Sequence, residues 1–468
     1  MNLKKNFFLL FFLPLLWACP VFFGEGIGWG QICLDIGQPI DNTTGQIYVN
    51  YDVIAQTCTP NVRLNFILGP WNSPEDNTLH NGRTWLQTYN EIVDSLTLRG
   101  IQIYGLIGAQ ISYNSIGDLL INYPSDTQAD SAAAAQWEQD YVYNFVKVVD
   151  DFKDRVKTFE SYNEPNNWDN GWTSVVCAKW FALMLQDIYL NVKYFNGHWG
   201  DAAWQVNLIS GALFTFDLND GSQYLNDTYN YGKNTWAWDW THAQTGSYPL
   251  DGIGMHIYCE QGSSDSATVV NAMTSNINAM WNTITTWEGA TNKQLWISEF
   301  GWESSSVTEQ GQADNLRNAF ALLLNDNRIG LAIYFTLSDW PGAYWGLYYM
   351  GNFSPADRKL AYYEFLNVTN CTATAITTIS LEQNPLLLYD AASGTYTIDI
   401  RSKVQEARSI ELYNMLGENI INSTFSPLSY GRGEGGEVFS LHTSNFPSGI
   451  YFLRISSKEK SFCFKIRM

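Results

Sequence analysis

Residues 134–168 read "AAQWEQDYVYNFVKVVDDFKDRVKTFESYNEPNNW". Up to Arg155 the apolar residues recur three and four apart, as an amphipathic helix requires. From Val156 the pattern changes to "VKTFESYN", a β-type run whose end carries Asn163, Glu164 and Pro165. A lone Asn-Glu-Pro is often only a turn, so the meaning of Glu164 depends on what the rest of the chain builds around it.

Outward from this stretch the same alternation repeats. Other β-type runs lie near 26–34, 62–69, 101–108, 206–213, 252–258, 295–301 and 331–337, which with 156–163 makes eight. Segments of helical periodicity such as "TWLQTYNEIVDSLTLRG" separate them. Runs apolar on both faces, each followed by a helix, imply a parallel sheet covered by helices. Eight units predict a closed (β/α)8 TIM barrel whose active site belongs at the strand C-termini. An open doubly wound sheet is the alternative, but no glycine-rich phosphate turn follows the first strand. The segment "DIGQPIDNTTGQIYVNYDVIAQ" after strand one lacks a clear first helix, so residues 24–61 depart most from the pattern.

At 468 residues, 46% of them apolar, the chain has length for a barrel and one further module. With 26 basic against 46 acidic residues the net charge is −20, which argues against nucleic acid and fits a neutral or cationic ligand. The N-terminus, "MNLKKNFFLLFFLPLLWACP", reads as a secretory signal over 1–23. Leu16 to Cys19 also resembles a lipoprotein cleavage box, although Trp17 is unusual there. The six cysteines beyond Cys19 have no metal-ligand spacing, so no zinc site is expected, and the reading of the whole chain calls for neither metal nor organic cofactor. Export permits disulfides; Cys33 and Cys58 are the closest pair in sequence, and spacing does not reveal connectivity.

Domain limits follow from composition. The barrel is expected over 24–366, a Thr- and Ser-rich linker over 367–379, and a small all-β sandwich-like domain over 380–468. In that last part "YTIDIRS", "SIELYNMLG", "EVFSLHTS", "GIYFLRISS" and "KSFCFKIRM" read as strands.

Glu164 closes strand four and Glu299, in "LWISEFGW", closes strand seven. Those strands face each other across a barrel mouth, so both carboxyls can meet one ligand. Period-two alternation puts Thr158, Glu160, Tyr162 and Glu164 on one face of strand four, and Leu295, Ile297 and Glu299 on one face of strand seven. Two carboxyls held in different protonation states are what glycosidic cleavage needs. Glu160 should lie deeper in the barrel, with Arg63 of strand two as its expected partner. Taken alone, His256 is as readily a core histidine, and Arg63 and Tyr258 as readily barrel packing.

"NEPNNW", "HIY", "SEFGW" and "TLSDW", in order after strands four, six, seven and eight, closely resemble the clan A glycoside hydrolases over residues 26–366. The resemblance implies a retaining hydrolase with Glu164 as general acid/base and Glu299 as nucleophile. It implies that Asn163 binds the sugar 2-hydroxyl, that Arg63 and Tyr258 hold the nucleophile, that His256 lines the pocket, and that Trp340 is the aromatic floor. Trp71, Trp168 and Trp302 follow strands and are candidate sugar platforms, whereas "TWAWDWTH" (235–242) is expected to be a helix packed on the barrel. Gln110 stands where many members of the clan place another sugar contact, and no role is carried to it.

The tail, with "SIELYNMLGENI", "LHTSNFPSGIYFLRI" and "KSFCFKIRM", resembles the C-terminal sorting domain of proteins exported by the type IX secretion system. That implies a secreted or cell-surface protein and an encounter with the type IX machinery. The expected whole is a secreted β-glycosidase, monomeric, acting on a β-linked polysaccharide or oligosaccharide. An exo-acting enzyme of the same mechanism and a non-catalytic carbohydrate-binding barrel are the other readings.

Overall fold

The computed structural model describes residues 31–112, 132–167, 175–215, 220–351 and 353–371, and the backbone of seven strands beyond residue 385. The signal segment, Cys19, Trp168 and most of the expected linker lie outside the described residues. All eight β-type runs form strands: β1 (Ile32–Asp35), β2 (Asn61–Asn65), β3 (Gln102–Ile107), β4 (Thr158–Asn163), β5 (Asn207–Thr215), β6 (Gly252–Ile257), β7 (Gln294–Phe300) and β8 (Ile329–Tyr334). They are parallel and close into a barrel in sequence order, with β1 paired to β8 through Cys33 and Ile333. Closure rules out the open doubly wound sheet.

The helices are α1 (Tyr51–Gln56), α2 (Trp85–Leu98), α3 (Ala132–Phe152), α4 (Ala178–Lys193), α5 (Asp220–Asn234), α6 (Trp238–Thr245), α7 (Ser266–Glu288), α8 (Ser304–Leu324) and α9 (Leu360–Val368). The stretch after β1 yields only the six-residue α1, beyond a loop whose Ile40 and Ile47 form an isolated bridge. Residues 235–242 do enter a helix, α6, whose Trp238 is buried while Trp240 is 46% exposed.

Alternation divides the strands between two cores. Val62, Leu64, Ile253, Met255, Leu295 and Ile297 face outward and join the apolar layer shared with the helices. Cys33, Tyr104, Ile209, Leu331 and Ile333 face inward as a separate cluster, with Trp296 packed on it and stacked on Tyr104 at 5.8 Å. These side chains make an apolar floor, as expected of a barrel whose interior is a packed core. Gly252 is required there, because a Cβ on it would fall 2.4 Å from the Trp296 ring nitrogen. Above the floor the interior turns polar, and the two glutamates at the strand ends belong to that level.

Residues Met1–Thr372 form one compact unit and Ala373–Met468 a second. The second contains β9 (Leu386–Asp390), β10 (Thr395–Asp399), β11 (Ala407–Asn414), β12 (Asn419–Thr424), β13 (Val438–His442), β14 (Ile450–Ser457) and β15 (Ser461–Arg467). They form two antiparallel sheets, β13-β10-β9 and β12-β11-β14-β15. β9 ("LLLYD") and β12 ("NIINST") are not among the five runs read from sequence.

A disulfide joins Cys58, just after α1, to Cys371, just after α9, across 313 residues. The pair closest in sequence is not joined, because Cys33 is a buried free thiol in the barrel floor. Beside the bond, Thr369 Oγ1 donates to the Thr57 carbonyl at 3.1 Å. A cross-link over so long a loop stabilises chiefly by restricting the unfolded chain. The double variant Cys58→Ala/Cys371→Ala is therefore expected to lose about 2–5 kcal/mol. Thermal unfolding with and without reductant checks this, since reductant should lower the wild-type Tm and leave that of the variant unchanged.

Candidate active site

Glu164 and Glu299 both reach the barrel mouth, but by breaking strand alternation rather than by following it. In β4, Glu160 points inward, whereas Tyr162 points outward against Trp137 and Tyr141 of α3, with ring centroids 6.2 and 5.7 Å apart. Tyr162 has φ +82° and Glu164 has φ +47°. Two left-handed residues turn the backbone so that Asn163 and Glu164, adjacent in sequence, both face the mouth. Such conformations in non-glycine residues cost of order 1–3 kcal/mol each and need surrounding support. Gly211 of β5 supplies part of it, since a Cβ there would lie 2.5 Å from the Ser161 carbonyl oxygen. Asn166 supplies more, accepting from Phe214 N at 2.8 Å and donating to its carbonyl at 2.9 Å.

In β7, Trp296 lies in the floor and Ser298 Oγ donates to Glu160 Oε1 at 2.8 Å, so the even-numbered positions face inward. Strict alternation would send Glu299 out toward the helices with Leu295 and Ile297. Pairing with β6 instead shifts from Met255–Ile297 to His256–Glu299, so two residues of β7 oppose one of β6. This β-bulge re-aims Glu299 into the barrel. The expected shared faces, Tyr162 with Glu164 and Leu295 with Glu299, are thus corrected, while the expected convergence of the two glutamates is observed.

Arg63 of β2 is the hub. Its Nε donates to Glu160 Oε2 at 3.1 Å, Nη1 to Asp35 Oδ2 at 3.2 Å and to Glu299 Oε1, and Nη2 to Asn163 Oδ1 at 2.8 Å. Glu160 is therefore the deep partner of Arg63 that the sequence anticipated. Tyr258 Oη donates to Glu299 Oε2 at 2.6 Å. His256 Nδ1 lies 2.7 Å from Glu164 Oε1 and 3.5 Å from Glu299 Oε2, and its Nε2 lies 3.4 Å from Arg63 Nη2. A guanidinium can only donate, so Nε2 must accept and Nδ1 carries the proton given to Glu164. Asn167 Nδ2 reaches the other oxygen, Oε2, at 2.7 Å.

Burial sets the electrostatics. It pushes the Glu160 and Glu299 carboxyls above the usual range, while Arg63 pulls both the other way. It pushes His256 down to about 3, so the imidazole is neutral near pH 7. Burial first, then the neighbouring Glu299, raises the Tyr258 hydroxyl, which stays protonated as a donor.

The cleft above these groups is lined by Arg63, Asn163, Glu164 and Glu299, with Asp35, Gln38, Asn42, Asn65, Gln110 and Phe335 among the other walls. Asp35, Asn167 and Phe335 escaped the sequence reading. Asp35 ends β1 as Glu299 ends β7, and the same end-of-strand rule would have found it. Phe335, just after β8, is the aromatic lining the cleft among the described residues, and the Phe335–Thr336 peptide is cis. Trp340 sits 42% exposed with its ring edge-on to Phe335 at 5.6 Å, and Trp345 packs edge-on to Tyr258 at 5.3 Å. Trp71 and Trp302 are not platforms: both are buried, their indole nitrogens donating to the Thr78 and Cys259 carbonyls. Among the described residues, Glu164, His256 and Glu299 could also face a metal ion, with donor atoms within 4.8 Å of one another. Each is already hydrogen-bonded, and the adjacent guanidinium opposes a second cation.

Residues 367–467 match the secretion system C-terminal sorting domain. No curated protein matches the chain by sequence. Solved structures similar to it include a family 39 glycoside hydrolase from Bacteroides cellulosilyticus WH2, at 16% identity over 88% of this chain and 79% of that one, TM-score 0.44. An endo-β-1,4-mannanase from Thermotoga petrophila overlaps at 9% identity over 93% and 97%, TM-score 0.45. An endo-β-1,3-glucanase of family 128 from Sorangium cellulosum overlaps at 15% identity over 72% and 98%, TM-score 0.39. At such identities none transfers a substrate or linkage to this chain.

The neutral His256 carries a pH signature. Between its ordinary value near 6.5 and its folded value of about 3, the unfolded chain binds a proton that the folded chain does not. Folded stability therefore drops as pH falls through that window, by up to about 1.4 kcal/mol per unit. A His256→Asn variant lacks this contribution, so its stability deficit relative to wild type should shrink by up to about 2 kcal/mol between pH 7 and pH 5. Denaturant unfolding of both proteins at the two pH values checks it.

Proposed function

We propose that this chain is an exported retaining β-glycosidase that hydrolyses O-glycosidic bonds of a β-linked polysaccharide or oligosaccharide by double displacement. The observation that carries the reading is the pair of carboxyl groups facing each other from β4 and β7, with oxygens within 4.8 Å. Retaining enzymes hold their two carboxyls roughly 5–5.5 Å apart, whereas an inverting enzyme needs a wider gap for water between them.

In this scheme Glu164 protonates the leaving oxygen while a Glu299 oxygen attacks the anomeric carbon, forming a glycosyl ester and breaking the glycosidic bond. Glu164, now a base, takes a proton from water, whose oxygen attacks the same carbon and releases Glu299. Tyr258 and Arg63 hold Glu299 in place for attack, and His256, held neutral by burial, orients Glu164. The Asn167 carboxamide can donate to ionised Glu164 or, turned over, accept the acid proton, so both states of the carboxyl keep a partner. Asn163, its Oδ1 taken by Arg63, keeps its amide group to donate to a sugar 2-hydroxyl. Phe335 offers a ring to the apolar face of a sugar, with Trp340 at the rim.

The sorting-domain match and the signal-like N-terminus support export through the type IX machinery to the cell surface or beyond. The Cys58–Cys371 disulfide fits an oxidising compartment.

Glu299→Gln is expected to abolish hydrolysis and leave sugar binding intact. Glu164→Gln should lower kcat by about 100- to 10,000-fold for substrates whose leaving group needs protonation, and much less for an activated aryl leaving group. Proton NMR of the first product formed from a β-linked substrate should show the β-anomer. An α-anomer would sink the double-displacement scheme, and full activity in Glu299→Gln would sink the assignment of the nucleophile.

A further inference from the structure

The acidity of this protein is not spread evenly over its barrel. Among the described residues, the connections running from a strand end to the next helix, on the side of the mouth, carry nine Asp and Glu against three Lys and Arg. The seven returns at the opposite end, from helix to strand, carry four Asp and Glu against six Lys and Arg. Helix N-termini at the mouth favour acids and helix C-termini favour cations, so part of this polarity comes from the fold, as at Asp265, the N-cap of α7. A ligand meets the same field whatever its local cause.

Of the three cations at the mouth, two are paired with carboxylates and none lines the cleft. Lys359 is buried against Asp339 at 3.1 Å, Arg83 pairs with Glu91 at 2.8 Å, and Arg358 lies over the Tyr362 ring and donates to Gln56. Inside the cleft the one guanidinium, Arg63, is shared among Asp35, Glu160 and Glu299. Among the described residues lining the cleft Arg63 is the only cation, so an anionic sugar would find no other to pair with there, and would be repelled by the field of a mouth whose charge is not compensated.

The cleft is otherwise furnished for hydroxyl groups. Gln38, Asn42, Asn65 and Gln110 line it with carboxamides, which both donate and accept. The Asn65 Oδ1 has no hydrogen-bond partner among the described residues. Asp35, Glu164 and Glu299 are each hydrogen-bonded within the site, leaving no free carboxylate to hold an ammonium group.

We propose that the cleft selects uncharged β-glycans and turns away chains bearing carboxylate, sulfate or phosphate. The inference rests on the glycosidase reading for what happens to the glycan, and on the charge arrangement for which glycan enters. It narrows the substrate to neutral hexosans and pentosans and excludes polyuronates and sulfated glycans.

The test uses the full chain against neutral β-glucan, β-mannan and β-xylan, carboxymethylated forms of the same backbones, a polyuronate and a chitosan oligomer, at low and high salt. Expected is kcat/KM at least about tenfold lower for a carboxymethylated chain than for its parent at low salt, with the gap narrowing as salt screens the field. Asn42→Lys should raise the anionic-to-neutral ratio by about tenfold at low salt. Equal or faster turnover of anionic chains, preference for chitosan, or an unmoved ratio in Asn42→Lys would overturn the proposal and leave the hydrolase reading standing. If no glycan is cleaved, the hydrolase reading fails instead. Calorimetric titration of Glu164→Gln protein with neutral and carboxymethylated oligosaccharides then decides the charge question: tighter neutral binding sustains it, and equal binding or none overturns it.

Discussion

A single guanidinium organises the interior of this barrel. Arg63 is 3% exposed, and a charge so buried is tolerable only when partners surround it. Its partners come from three other strands: Asp35 from β1, Glu160 and Asn163 from β4, and Glu299 from β7. Four strands are thereby held at one height, and the side chains that meet the ligand take their positions from that contact. The guanidinium faces three carboxyls, so the cluster is poorer in positive than in negative charge, and burial pushes Glu160 and Glu299 upward against its pull. A buried ion cluster of this kind contributes more to placement than to stability.

A second buried ion pair secures the neighbouring wall. Lys359 Nζ donates to Asp339 and, at 2.9 Å, to the Tyr344 carbonyl, while Gly346 N donates to Asp339 Oδ1 at 2.6 Å. Gln312 of α8 reaches the carbonyls of Trp302, Tyr344 and Trp345. The connection after β8 is long, yet its backbone at Tyr344, Trp345 and Gly346 is pinned by these bonds. Trp345 is kept against Tyr258, which itself holds Glu299, so the groups around that carboxyl are fixed from outside the barrel as well as from within.

The barrel was legible in the sequence because eight apolar β-type runs recur along it, most of them separated by segments of period near 3.6. The meeting of Glu164 and Glu299 was legible because both belong to strand ends that face each other across a barrel mouth. How they turn inward was not legible. A bulge at Ser298–Glu299 and left-handed backbone at Tyr162 and Glu164 leave no mark on an apolar/polar pattern. Tryptophans after strands misled for a related reason: Trp71 and Trp302 have the chemistry of a sugar platform, but burial, which sequence does not give, decides their use. The partner of Cys58 lay 313 residues away, beyond any local signal.

That cross-link also bears on the fate of the chain after export. Cys371 falls inside the first compact unit, two residues before the second begins at Ala373. A protease that severs the chain beyond this point would shed the sorting unit yet leave the last barrel helix tethered to the first. Such a cut would create a new chain end without creating a place for the barrel to unzip.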